Sequence, residues 1–346
     1  MPHLAAQVPA AKAPLEVREI ETPQPGPNEI LVKNQIIAIQ PIDAKIAKVA
    51  MLPLPYPAVL GSSFAGTVEK VGSDVKDFKV GDKVVGMKTA GASDSKYSAF
   101  QEYSISSEVT TTKVDDDETM DLAVRLVGNL PTIPAIFNYT LKLQRPVPGQ
   151  EPKSQGKRIL IYGGTSSIGS MAVQYLTQAG YEVITTTSPK HKDFVSKLGN
   201  KLGASKIIDH SQESEALTKD LIAAGPYDIV LDTISTGATV KLLADVVAAQ
   251  GGDSVYALQP PFGPETLPTG VTRKFEGWSL LLGKEENAEL LKWIFGTYFP
   301  KALATKSLIS VPARKVPGGL GGINDALDLL FPKGVSSEKV VVDLRG

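Results

Sequence analysis

The hydrophobic pattern of this chain changes character partway along its length. Before Thr119, apolar positions come in short runs rich in β-branched residues: Leu15–Ile20, Glu29–Ile39, Ala65–Val71, Lys83–Met87 and Phe100–Ser104. Gly and Pro clusters separate them, with a stiff Pro23-Gln24-Pro25-Gly26-Pro27 turn and tighter ones at Val71-Gly72-Ser73-Asp74 and Val80-Gly81-Asp82. Short runs punctuated in this way predict the strands of a compact barrel-like domain.

The period then lengthens. Thr119–Val127 and Ile133–Leu141 carry helical spacing. From Arg158 onward strands and helices alternate: Ile159–Tyr162, Ser170–Ala179, Glu182–Thr187, Asp193–Leu202, Lys206–Ile208, Glu213–Ala224, Asp228–Asp232, Ala238–Ala249 and Asp253–Leu258. Such alternation marks βαβ crossovers on a parallel sheet. A helix at Ile323–Leu330 and a strand at Lys339–Val342 close the chain, and the strand's alternation suits the first domain. Gln144–Gln155, rich in Pro and Gln, predicts an exposed loop.

At 346 residues two domains are the default. Charges nearly cancel (36 basic against 37 acidic, net −1), which gives no electrostatic case for nucleic acid or an acidic membrane. No apolar run reaches the ~18 residues that a spanning helix needs, and the N-terminus lacks the pattern of a signal peptide, so a cytoplasmic location is expected. There is no cysteine, which removes disulfides, thiol catalysis and thiolate zinc sites. With His3, His191 and His210 as the only histidines, a three-histidine zinc site is not expected either.

The chemistry concentrates in Arg158-Ile-Leu-Ile-Tyr-Gly-Gly-Thr-Ser-Ser-Ile-Gly169. An apolar run breaks into a turn of small residues and opens onto a helix with Ala172, Val173, Leu176 and Ala179 on one face. In a dinucleotide site the pyrophosphate rests on N–H groups at such a helix start, and small turn residues let the backbone approach it. Ser166 and Ser167 stand where glycine is commoner, and a plain βα turn can look the same. NAD sites usually end the second strand in an acid that holds the ribose hydroxyls. Here the strand ends Thr187-Ser188-Pro189-Lys190-His191-Lys192, without an acid. Hydroxyl and lysine suit a 2′-phosphate, which favours NADPH over NADH. Lys190 and Lys192 can also be read as the solvated start of a helix.

Taken together, these residues resemble a medium-chain dehydrogenase/reductase of the zinc-independent, quinone-oxidoreductase-like kind. The resemblance is closest to the fungal branch of toxin-cluster reductases and trans-acting enoyl reductases. It rests on Pro23–Val32, Tyr56–Gly66, Val80–Val84, Val316–Leu320, Ala326-Leu327 and Ser337–Val341, which follow one another in the family's order over nearly the whole chain. It implies an α/β architecture: a GroES-like β-barrel domain (1–125 and 308–346) and a Rossmann domain with a doubly wound parallel sheet (126–307). Zinc-dependent members carry a cysteine ligand where this chain has Gln40 and a histidine ligand where it has Ser62. Metal-free hydride chemistry with NADPH is therefore implied.

By motif, Ile42, Asp43 and Lys45 would line the nicotinamide side, with Thr132 near the nicotinamide and Lys339 and Val340 close to the cofactor. Gly163, Gly164, Thr165, Ser166, Ser167 and Ile168 would cradle the pyrophosphate. Ser188, Lys190 and His191 would hold the 2′-phosphate, and His210 would lie toward the adenine. The segment Lys197–Gly203 is about one helical turn longer than the family's usual.

The implied reaction is reduction of an α,β-unsaturated carbonyl, an enone or enoyl thioester. Hydride goes to the β-carbon, and the carbonyl oxygen needs a donor or a positive charge. Related mitochondrial enoyl reductases use a tyrosine there; the matching position falls near Ala50. The candidates left are Lys45, for electrostatic work, and Tyr56, for the pocket, though a surface lysine and a packing tyrosine explain them equally well. Trp278 and Tyr298 are candidate cleft walls or core aromatics. Three alternatives stay open: quinone reduction, aldehyde reduction, and a non-catalytic NADPH-binding partner of a synthase. A polyketide synthase is the partner the branch suggests, and monomer and homodimer are both compatible.

Overall fold

The computed structural model describes residues 2–89, 91–198 and 203–345. The chain forms two compact units. The first comprises Met1–Pro131, Leu282–Leu303 and Pro312–Gly346, and the second Thr132–Leu281 and Ala304–Val311.

The first unit is built around one long strand, Glu29–Ala38, whose side chains are nearly all covered. It pairs antiparallel with Ser63–Val71 along its length. Tyr103–Ser107 pairs with its first half and Lys339–Asp343 with its second. The register against Ser63–Val71 shifts twice, between Leu31 and Val32 and between Asn34 and Ile36. Such irregularities bend a strand and tighten its twist, which lets a short sheet curl. Ala313–Val316, Lys83–Met87 and Thr111–Lys113 complete this sheet, and Glu16–Glu21, Pro2–Val8 and Ala58–Val59 form a second, smaller one. The core gathers Ile30, Val32, Ile37, Phe64, Phe100, Ile323, Leu327, Val340 and Val342.

Helix Asp117–Val127 begins where Asp116 accepts from the Thr119 N–H at 2.7 Å, the cap that its sequence offers. The helix Pro41–Val49, which the apolar pattern did not reveal, starts after Gln40. The final strand does return to the first unit, pairing with Ile36–Ala38. The division differs from the sequence reading at 126–131 and 308–311, and most at 282–303. That segment clusters with the first unit, where the Thr112 hydroxyl donates to the Phe295 carbonyl at 2.6 Å.

The second unit holds six parallel strands. In chain order they are Arg158–Tyr162, Glu182–Thr187, Lys206–Asp209, Ile229–Asp232, Ser254–Ala257 and Thr272–Lys274. Across the sheet they run 3-2-1-4-5-6, the doubly wound order. The two inner strands are buried runs, Ile159–Tyr162 and Ile229–Asp232, as a sheet covered on both faces requires. Helices Ser167–Gln178, Ser214–Ala224 and Gly237–Ala249 supply crossovers, and Leu160, Ile184, Leu217, Leu221, Leu243 and Val255 share one core. Gln144–Gln155 has no regular structure, as expected of a loop. Among the described residues no helix is long and apolar enough to cross a membrane.

Candidate active site

In the second unit the strand Arg158–Tyr162 stops at Gly163, whose φ of 89° only glycine adopts at no cost. The Gly163 N–H donates to the Thr186 hydroxyl at 2.8 Å and the Gly164 N–H to the Thr186 carbonyl at 2.9 Å. The second strand thus pins the turn that follows the first. A Cβ on Gly164 would stand 2.3 Å from the Thr185 hydroxyl, and one on Gly169 would stand 2.2 Å from the Gly163 carbonyl. Both glycines are dictated by close packing. Ser166 caps helix Ser167–Gln178, its hydroxyl accepting from the Gly169 N–H at 2.8 Å. Thr165, Ser166, Ser167 and Ile168 are half-buried at the helix start, where amide N–H groups and the helix dipole favour an anion.

Strand Glu182–Thr187 runs out into Ser188. The His210 backbone N–H donates to the Thr187 carbonyl at 3.1 Å and the His191 backbone N–H to the Ser188 carbonyl at 3.0 Å, so the ends of two neighbouring strands, Glu182–Thr187 and Lys206–Asp209, bring the two histidines together. Lys190 is exposed beside them. Burial, then the charges of Lys190 and His210, hold the His191 pKa below its ordinary value. The structure therefore collects Ser188, Lys190, His191 and His210 in one place. Part of Lys197–Gly203, read as lengthened, lies outside the described residues.

The first unit carries a buried polar cluster around helix Pro41–Val49. The Gln40 carboxamide donates to the Ser63 hydroxyl at 2.9 Å and accepts from the Lys339 ammonium. The Gln40 backbone N–H donates to Asp43 at 2.8 Å. Asp43 and Lys339 are each 3% exposed. Burial pushes the Asp43 carboxyl up to about 7, opposed by the Gln40 N–H and by the charges of Lys339 and Lys88. Burial likewise brings Lys339 down to about 8, opposed by Asp43. Lys88, also lowered by burial, donates to Ser98 at 3.0 Å. A Cβ on Gly128 would stand 2.1 Å from the Gln40 amide nitrogen, so this glycine keeps the cluster's space open. Ser63, Lys88 and Gly128 were missed by the sequence reading because no local pattern ties them to Gln40.

The other expected positions divide between the two units. Ile42 is 40% exposed, and Lys45 is half-buried with its pKa lowered by that burial. Val340 is buried, its carbonyl accepting from the Ile39 N–H at 3.0 Å. Thr132 opens a helical stretch in the second unit. Tyr56 packs on the core of the first unit. Trp278 is core: it is buried, donates to the Ala257 carbonyl at 2.8 Å and meets Phe275 edge-on. Tyr298 is fully buried, stacks on Trp293 and belongs to the first unit, not to the second domain as the sequence reading had it.

Residues 26–116 match the family described as "Alcohol dehydrogenase GroES-like domain", and residues 167–294 match "Zinc-binding dehydrogenase". The chain is 32% identical to "Trans-enoyl reductase himH" of Aspergillus japonicus, over 91% of this chain and 90% of that one. The chain belongs to the medium-chain dehydrogenase/reductase family. As a medium-chain dehydrogenase/reductase it is an oxidoreductase, and it resembles the fungal trans-enoyl reductase branch. Its fold matches the quinone oxidoreductase of Pseudomonas syringae (TM-score 0.72, 23% identity, 99% of both chains). It also matches a mycobacterial protein solved with NADPH (TM-score 0.72, 21% identity, 99% of both chains).

A "zinc-binding" family description implies a metal, but the donor set here does not fit zinc. Gln40 holds the place of the cysteine ligand, and its carboxamide is already bonded to Ser63 and to the Lys339 ammonium. Ser62 holds the histidine ligand's place, the chain lacks cysteine, and no group of three potential ligands occurs among the described residues.

Proposed function

We propose that this medium-chain reductase uses NADPH to reduce a carbon–carbon double bond conjugated to a carbonyl, in an enone or enoyl thioester. The observation that carries the reading is the end of strand Glu182–Thr187, where hydroxyl, lysine and two histidines gather and the acid of an NAD site is missing. Kinship with a protein named a trans-enoyl reductase supports the reaction class, and a polyketide synthase is the proposed partner. The NADPH-bound mycobacterial neighbour supports the cofactor.

The Gly163–Ile168 turn would hold the pyrophosphate. Ser188, Lys190, His191 and His210 would hold the 2′-phosphate and the adenosine end. Ile42, Asp43, Lys45 and Thr132 are the proposed nicotinamide-side set, with Lys339 and Val340 close to the cofactor. When bound, NADPH supplies the hydride. Half-burial at Lys45 strengthens the field of its ammonium, which suits it to offset negative charge on the substrate's carbonyl oxygen. Asp43 and Lys339 are too buried to meet substrate directly, and their part is to fix the helix that carries Ile42 and Lys45. Tyr56, packed on the core, would wall the pocket.

The test is consumption of NADPH and of NADH with an enone, an enoyl thioester, a quinone and an aldehyde, with product analysis. A saturated ketone or acyl product, with NADPH preferred, is the expected result. Hydroquinone as the product would establish the quinone reading, which likeness to the Pseudomonas quinone oxidoreductase favours, and alcohol the aldehyde reading. Tight NADPH binding without turnover would establish a binding partner, the reading favoured by the lack, near Ala50, of the donor tyrosine that mitochondrial enoyl reductases use.

A further inference from the structure

The sheet order reverses between the first and fourth strands, so the crevice at their carboxyl ends is where a doubly wound sheet takes its ligand. The Gly163 turn lies at one lip. At the other, Asp232 ends its strand and is followed by Thr233, Ile234 and Ser235. Ser235 has a φ of 61°, the left-handed region that a residue with a side chain seldom occupies. Such conformations persist only when surroundings over-determine them, and they gather at ligand sites.

The surroundings here do over-determine it. The Ser235 N–H donates to Asp232 Oδ1 at 2.9 Å, its hydroxyl donates to the Asp232 carbonyl at 2.7 Å, and the Leu258 N–H donates to that hydroxyl at 2.7 Å. Arg273 donates to the Ser235 carbonyl at 2.6 Å while paired with Glu265, its side chain only 5% exposed. Three strand ends thereby meet at one residue.

What this junction holds is the cofactor turn. The Thr233 hydroxyl donates to the Tyr162 carbonyl at 2.7 Å and lies 2.8 Å from the hydroxyl of Ser166, the helix cap. A Cβ on Gly163 would stand 2.7 Å from the Thr233 hydroxyl and 2.9 Å from the Ile234 side chain, which closes the turn from above. We propose that Ser235 and Arg273 are positioning residues for the cofactor: they lock the Thr233-Ile234 edge against the Gly163–Ser166 turn so that its N–H groups face the pyrophosphate. The inference rests on the reading of that turn as the NADPH cradle.

The test compares wild type with Ser235→Ala, Ser235→Gly and Arg273→Lys by NADPH fluorescence titration, steady-state kinetics and thermal unfolding. Ser235→Gly adopts the same backbone angle without strain, so it folds while losing the hydroxyl. Leu221→Ala, a core truncation in the same unit, serves as the control for stability loss alone. The expected result is an NADPH Kd and KM raised about tenfold in both Ser235 variants, as loss of a buried hydrogen bond predicts, with kcat and the substrate KM little changed. Arg273→Lys should fall between these variants and wild type, and Leu221→Ala should lower the melting temperature without moving the NADPH KM. Tight wild-type binding with an unaltered Kd in both Ser235 variants, or a matching rise in Leu221→Ala, would overturn this inference alone. No NADPH binding by wild type would refute the functional reading and this inference with it.

Discussion

Replacing Asp43 by Asn should make the protein more stable at alkaline pH and leave it unchanged in acid. The carboxyl is fully enclosed and its pKa stands at about 7 against an ordinary 3.8. Since its folded value lies above its unfolded one, its contribution is complete below about pH 4 and is lost as pH rises through about 7. The full difference corresponds to about 4 kcal/mol. Part of this is returned, because the ionised Asp43 is the charge that opposes the fall in the Lys339 pKa. We expect about half the ceiling, ~2 kcal/mol at pH 8. Asparagine keeps an oxygen for the Gln40 N–H and has no charge to bury. Melting temperatures of both proteins should coincide below about pH 4 and separate by about 5 °C at pH 8, the variant higher. A gap that stays flat with pH, or a variant less stable at pH 8, would refute the account of Asp43 as a buried charge held at a cost. If the cluster serves the reaction, the stabilised variant should also lose kcat/KM, since strained polar sites are retained for function.

Other outcomes follow from the same geometry. Lys190→Ala with His191→Ala should weaken NADPH by about tenfold or more and leave NADH untouched, because only the 2′-phosphate loses its charged partners; paired KM values check it. Gly169→Ala places a Cβ 2.2 Å from the Gly163 carbonyl, so the helix start must shift and NADPH affinity should fall about tenfold; titration of the purified variant decides. Trp278→Ala should cost about 3–5 kcal/mol of stability as a core truncation, yet leave the substrate KM of the surviving folded protein near wild type; an altered KM would restore the ring to the pocket wall.

Much of the second unit was legible because its elements announce themselves locally. Glu182–Thr187 is a buried apolar and threonine run, and it forms over the residues expected. In the first unit, helix Ile323–Leu330 and strand Lys83–Met87 match their apolar periods. The elements missed share a physical cause. Ala313–Val316 and Thr272–Lys274 are edge strands with mostly uncovered side chains, so no hydrophobic alternation marks them. Pro2–Val8 buries two consecutive alanines, Ala5 and Ala6, which breaks the period of two. Pro41–Val49 is held by the buried Gln40–Asp43 start more than by an apolar stripe. The Gly163–Ile168 turn was readable as a contiguous motif. The Gln40–Ser63–Lys339 cluster joins residues that sequence separates by up to 299 positions, and the Ser235 junction depends on a backbone angle, neither of which a linear pattern encodes.

The threading of the chain bears on how the molecule is made. The second unit is encoded almost entirely by one uninterrupted stretch, Thr132–Leu281. It can therefore collapse on a ribosome while the rest is still being translated. The first unit has no such freedom. Its strand Lys339–Asp343 lies between Ala313–Val316 and Glu29–Ala38, yet it is synthesised only after the whole of the second unit. Until it emerges, half of the central strand keeps an open edge and the Gln40 carboxamide waits for its ammonium. A nascent chain stalled short of Lys339 would thus carry a finished nucleotide fold beside an unsealed barrel, the kind of exposed edge that chaperones must shield.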